Sequence, residues 1–187
     1  LFSGLVQASL SIDNIPNHAI DLQPHTQYQL TANTQYRGNA LPAFDQRYIA
    51  LPEQGKIGVT QDSVWLTLSI DNNSHQRVWY VEVGDAGLQV VNLHQQVDQG
   101  GWQSWRAGAS ISQQQRSFKQ ASNVFAVTLP HNSHTTLVME VRSATNIGLP
   151  LFLWRSETYL QFKTQQAMRQ GLAYGALLLM CLLFVMV

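Results

Sequence analysis

An all-β fold, a jelly-roll-like β-sandwich followed by the start of a transmembrane α-helix, is what this 187-residue chain predicts. Three observations carry the prediction. Short runs rich in Val, Ile, Leu and aromatic residues alternate apolar with polar side chains, the period of a strand that buries one face. Turn chemistry recurs about every ten residues, which is the rhythm of a sandwich or jelly roll. The single cysteine, Cys181, lies in a C-terminal apolar run, so the preceding part has no disulfide and must be held by its core.

Taken in order, the first sixty residues are the least regular. "TQYQLTANTQYRG" (26–38) and "QRYIALP" (46–52) are strand-like, with breaks at Pro42 and Pro52. "SVWLTLSID" (63–71) and "QRVWYVEVGD" (76–85) are strands, and the "NNSH" between them is turn chemistry, so the pair reads as a β-hairpin. Further strands are expected at "LQVVNL" (88–93), "NVFAVTL" (123–129), "TTLVMEVRS" (135–143) and "PLFLWRSETYLQF" (150–162). Alternation puts Trp79, Val81 and Val83 on one face opposite Tyr80 and Glu82. It likewise separates Leu137, Met139 and Val141 from Val138, Glu140 and Arg142. The core is therefore expected around Leu66, Val81, Val127, Met139 and Phe152, with Trp65, Trp79 and Trp154 as its rings.

Both ends read as membrane-related. "LFSGLVQA" (1–8) closes on Val6-Gln7-Ala8, the small-x-small form of a signal peptidase site, so residues 1–8 read as the end of a signal peptide. "GLAYGALLLMCLLFVMV" (171–187) carries no charge and is apolar on every side of a helix. Seventeen residues rising ~1.5 Å each span roughly 26 Å, just short of a hydrocarbon core about 30 Å thick. These residues read as a truncated first transmembrane helix, joined through a juxtamembrane linker (163–170) to a sandwich over 9–162.

Composition narrows the partners. Charged residues are 12% of the chain and the formal net charge is zero, so no nucleic-acid surface is indicated. An exported domain without disulfides fits the bacterial periplasm.

The succession "VWLTLSIDNNSHQRVWYVEVGDAGLQVVNLH", a "GGW...G" loop, Arg116, "VFAVTLPHNSHTTLVMEVRS", "LPLFLW" and "GLAYGALLLM" resembles one bacterial family. It is similar to the type 2 extracellular domain of the seven-transmembrane receptors with diverse intracellular signalling modules (7TMR-DISM). The hairpin opening at Trp65-Leu66 and the helix signature Gly171, Tyr174, Gly175 are its most specific parts. Where the family carries Arg or Lys after Trp-Leu, this chain has Thr67. The resemblance implies a periplasmic jelly roll similar to carbohydrate-binding modules, then seven helices and a cytoplasmic output module such as a diguanylate cyclase or histidine kinase; none of that output is in this chain.

Candidate sites are few. Glycoside hydrolysis needs two carboxylates facing each other at roughly 5–10 Å. Asp62, Asp71, Asp85 and Asp98 instead lie at turns and strand ends, and Glu82 and Glu140 project from strands, where they are solvated or paired with Arg142 and Arg77. No catalytic residue is expected. His131 and His134 have a metal-like spacing but sit on a turn without a nearby third ligand, and no metal site is expected. Calcium is the alternative cofactor, since some members of the resembled family respond to it and Asp71, Asn72 and Asp85 offer hard oxygen ligands. The aromatic loop "GGWQSWRAG" is the ligand-binding candidate. Trp102 or Trp105 offers a ring face to a sugar, although residues three apart on a strand point to opposite sides, and Arg106 and Arg116 offer forked donors.

These features describe a ligand-sensing input domain in the periplasm (9–170) of an inner-membrane signalling receptor, with a carbohydrate or other small periplasmic ligand as partner. The alternative is an interaction domain without a small ligand, whose partner is a second copy or another receptor.

Overall fold

The computed structural model describes residues 9–32, 48–84, 87–112 and 123–186. Residues 1–8, read above as the end of a signal peptide, lie outside them, as do Asp85 and Arg116. In chain order the strands are β1 (Leu10–Ile12), β2 (Ile20–Asp21), β3 (Gln27–Thr31), β4 (Ile49–Ala50) and β5 (Lys56–Gly58). Next come β6 (Ser63–Asn72), β7 (Val78–Val83), β8 (Val90–Val97) and β9 (Gln103–Ala107). The last are β10 (Val124–Thr128), β11 (Ser133–Arg142), β12 (Ile147–Gly148) and β13 (Leu151–Arg155), and one helix, α1 (Ser156–Met186), follows directly.

Two sheets pack face to face. The larger runs β4-β3-β6-β11-β8-β9, with β1 added in parallel along β6, and the smaller runs β10-β7-β13-β2. A short β12-β5 pair stands apart. The core lies between the sheets because alternate residues of each strand point inward. Val64, Leu66, Leu68 and Ile70 of β6 and Leu137, Met139 and Val141 of β11 meet Trp79, Val81 and Val83 of β7 and Leu151 and Leu153 of β13. All of these are fully buried or nearly so.

Three expectations are corrected. Strands 63–71 and 76–85 form no hairpin, for β6 belongs to the larger sheet and β7 to the smaller. "NNSH" turns the chain from one sheet to the other, and the buried Asn72 amide secures the crossing by donating to the carbonyls of Gln76 (2.9 Å) and Leu129 (2.7 Å). Both strands have an apolar face, and facing sheets bury two such faces where a side-by-side pair leaves its shared face to be covered by something else. Secondly, the strand expected over 150–162 ends at Arg155. From Ser156 the chain is rich in helix formers, and the spacing of Tyr159 and Lys163 places both on the docked side of α1. Thirdly, Phe152, Trp154 and Trp65 lie outside the main core: the first two are on the outer face of the smaller sheet and Trp65 is on that of the larger.

That outer face of the smaller sheet is where the helix docks. Tyr159, fully buried, meets Tyr80 edge-on at 5.4 Å and Trp154 at 5.8 Å between ring centres. Glu82 accepts from Trp154 Nε1 (2.9 Å) and from Lys163 Nζ (3.0 Å), so its cationic partner is on the helix and is neither Arg142 nor Arg77. Beyond this joint α1 carries exposed apolar side chains, among them Leu172, Leu177, Leu178 and Phe184. Among the described residues no helix is long and apolar enough to cross a membrane.

Candidate functional site

The outer face of the larger sheet carries an aligned set of polar and aromatic residues. With Leu66, Met139, Leu93 and Ala107 turned to the core, alternation turns Trp65, Glu140, Asn92 and Arg106 outward. Register then lines them up: Trp65 stands opposite Glu140, Glu140 opposite Asn92, and Asn92 opposite Arg106. Three inter-strand steps make this row roughly 15 Å long. The neighbouring row is Thr67, Val138, His94 and Ser104.

An outer sheet face commonly meets water, yet Trp65 (2% exposed), Glu140, Asn92, His94 and Gln29 are all buried. Buried polar groups need partners, and most here have them. The Glu140 carboxylate accepts from Ser63 Oγ (3.0 Å) and Asn92 Nδ2 (2.7 Å), and Arg142 Nε lies 3.4 Å away. His94 Nδ1 and Ser104 Oγ share a hydrogen bond of 2.8 Å, and the His94 ring stacks on Trp65 at 6.2 Å. Two acceptors are left over: the buried Gln29 Oε1 and Asn92 Oδ1 have no hydrogen-bond donor.

Burial lowers the pKa of His94, with Arg106 pushing the same way and Glu140 opposing. The ring is therefore neutral at pH 7, free to act as both donor and acceptor. A group that protonates less readily when folded than when unfolded weakens the fold as pH falls. Stability is thus expected to decline as pH drops below the usual histidine value of 6.5 towards the folded pKa. Urea melts of wild type and His94→Gln between pH 8 and about 5 should diverge in this window, wild type losing the more; parallel curves would exclude the effect.

One end of the face opens into a pocket of about 230 Å³ lined by Asp62, Gln61, Gln89, Arg142 and Ser143, among others. Arg142 connects this opening to Glu140.

The residues singled out in the sequence separate here. Arg106 is exposed at the β9 end of the row, and Trp102, 39% exposed, immediately precedes that strand. Trp105 turns the other way and packs against the core. Gly108 closes β9 at φ +120°, where a Cβ would collide with the Gln89 carbonyl, so this glycine is required by the backbone. The sequence placed Trp65 in the core, and the residues it did not single out are Gln29, Asn92 and His94. The signal available for them was a polar residue recurring at every second position of an apolar strand, as in "VVNLHQ".

The ion-site candidates have local partners. Asp71 accepts from His134 Nδ1 at 2.6 Å, and the Ser9 hydroxyl and this ring hold its carboxyl below the usual range. His131 bonds the Ser74 carbonyl through Nδ1 (3.0 Å) and packs on His75 at 4.6 Å. Among the described residues no group of three or more His, Cys, Asp or Glu side chains converges.

No curated protein matches the chain. Among solved structures it is similar to TmCBM61, determined in complex with β-1,4-galactotriose, at 12% identity and a TM-score of 0.32, over 69% of this chain and 88% of that one. The profile of the 7TMR-DISM extracellular 2 domain matches residues 7–155, ending at the last residue of β13, where the helix begins. With four-fifths of its length inside that match, the chain belongs to the 7TMR-DISM extracellular 2 family, the extracellular sensing domains of membrane receptors.

Proposed function

We propose that this domain is the periplasmic input of an inner-membrane bacterial receptor, and that it binds a small carbohydrate-like ligand and controls a cytoplasmic diguanylate cyclase or histidine kinase. The observation that supports this most directly is the joint. The helix grows out of β13 without a linker and is held on the smaller sheet by Tyr159 and the Lys163–Glu82 pair. A change in the sandwich therefore bears on the helix through packed side chains, the element a two-state receptor needs. From about Gly171 the helix enters the membrane, which covers side chains such as Leu172 and Leu178 that the sandwich leaves bare.

Ligand contact falls on the outer row of the larger sheet. Arg106 and Ser104 form its exposed rim, and Trp102 lies beside them. A shallow site of this kind, with contacts worth about 1–3 kcal/mol each, binds a sugar in the micromolar to millimolar range. A glycan panel titrated onto the protein should find a ligand that Arg106→Ala or Trp102→Ala weakens about tenfold, and an alkaline phosphatase fused after Arg169 should be active. An inactive fusion overturns the topology. Binding by no glycan favours the domain as a surface for a second receptor.

A further inference from the structure

The sandwich and the helix enclose a second opening, about 510 Å³, between the Asn17–Ala19 segment, Trp154 and the first turns of α1. Its helical wall is one stripe. Thr158, Gln161, Phe162 and Gln165 recur at the spacing that puts side chains on a common face. The stripe adjoins the docked side that carries Tyr159 and Lys163, so the cleft runs alongside the joint. Its size falls within the roughly 300–1,000 Å³ of small-molecule sites.

The lining has a definite chemistry. Phe162 is 44% exposed and lies 4.9 Å from Trp154, ring centre to ring centre, so aromatic surface borders the opening. Asn17, Gln161 and Gln165 are exposed amides, each able to donate and accept, and Thr158 adds a hydroxyl. The His18 imidazole is the one titratable group in the lining, which holds no carboxylate, ammonium or guanidinium, and Lys163 Nζ lies 5.9 Å from the Phe162 ring centre. Ring surface flanked by uncharged amides suits a neutral, polyhydroxylated ring, whose C–H faces pack on aromatics while its hydroxyls pair with amides. The polar row on the other sheet differs, being bordered by Arg106, Glu140 and Arg142.

We propose that this cleft is a binding site for a neutral saccharide of one or two rings, which by touching Ala19 and Trp154 on one side and Gln161 and Phe162 on the other holds the helix against the sandwich. The inference rests on the sensing function proposed above and adds to the outer row a second, separate site where binding meets the helix directly.

The test uses the full chain in nanodiscs with maltose and cellobiose as neutral probes and digalacturonate as the charged one, followed by ligand-observed NMR titration. The expected result is saturable binding of at least one neutral disaccharide, weakened at least tenfold by Phe162→Ala and unaffected by Arg106→Ala, with digalacturonate binding no better. Gln161→Ala, at an exposed position, should weaken it severalfold and serves as the second variant should Phe162→Ala fail to fold. Binding that survives both cleft substitutions but is lost in Arg106→Ala overturns the cleft and leaves the sensing function standing. Failure of both neutral disaccharides to bind also overturns it, whatever the glycan panel finds on the outer row.

Discussion

Trp79→Ala is expected to lower the free energy of unfolding by about 3–5 kcal/mol, the largest single-site loss in the domain. The Trp79 ring is fully buried between the two sheets, and its Nε1 donates to the Gln76 carbonyl at 3.0 Å. Truncation removes the ring's contacts with both inner faces and leaves a cavity that strands on either side are too constrained to close. Urea denaturation followed by circular dichroism measures the loss. Val78→Ala, at a neighbouring position that is 44% exposed, is the control and should change stability by less than about 0.5 kcal/mol. A loss under about 1 kcal/mol for Trp79→Ala would show that β7 presents its other face to the core.

Asn72→Ala should cost about 2–4 kcal/mol, an unusual amount for a residue at a turn. Its Nδ2 serves the carbonyls of Gln76 and Leu129 and lies 3.3 Å from that of Pro130, while Oδ1 accepts from the Ser74 backbone N–H (3.1 Å) and hydroxyl (2.7 Å). Alanine leaves these groups without their partner at a fully buried position. Asn72→Asp should be at least as damaging, because it sets carboxylate oxygen against carbonyl oxygens. In a simple hairpin the same residue would face solvent and either change would fall within about 0.5 kcal/mol. The same urea melts therefore distinguish the sheet-to-sheet crossing from the hairpin.

These two residues mark how far the sequence was legible. Trp79 could be placed because its information is local: it lies in an alternating strand, and alternation alone states which neighbours share its face. The inward sets on β7 and β11 follow in the same way. Asn72 could not be placed, because an Asn between two strands has the same composition whether the strands pair or part. What distinguishes the cases is a carbonyl at Leu129, fifty-seven residues away. Trp65 and Trp154 show the limit from another side. Both were expected to be buried, and both are, at 2% and 8% exposure. Their burial occurs outside the space between the sheets, in positions that alternation with Leu66 and Leu153 already implied but that large apolar rings made easy to misread.

The functional residues divide along the same line. Arg106 and Trp102 stood out in the sequence because a Gly-flanked aromatic loop is conspicuous by composition. Glu140, Asn92 and His94 are ordinary polar residues until β11, β8 and β9 come into register. Lys163 and Glu82, eighty-one residues apart, are likewise ordinary until α1 folds back on the smaller sheet.

By itself the sequence determined the all-β class, most of the longer strands, the inward faces of β7 and β11, and a family resemblance borne by its strand succession. These depend on side-chain period and turn chemistry, which act over a few residues. Only the tertiary structure decided which strands share a sheet, where the helix begins to dock, and which polar groups meet on the outer face. Each of these depends on burying two apolar faces against one another and on pairing the polar atoms carried along with them. That is a balance between segments distant in the chain, to which local pattern is blind.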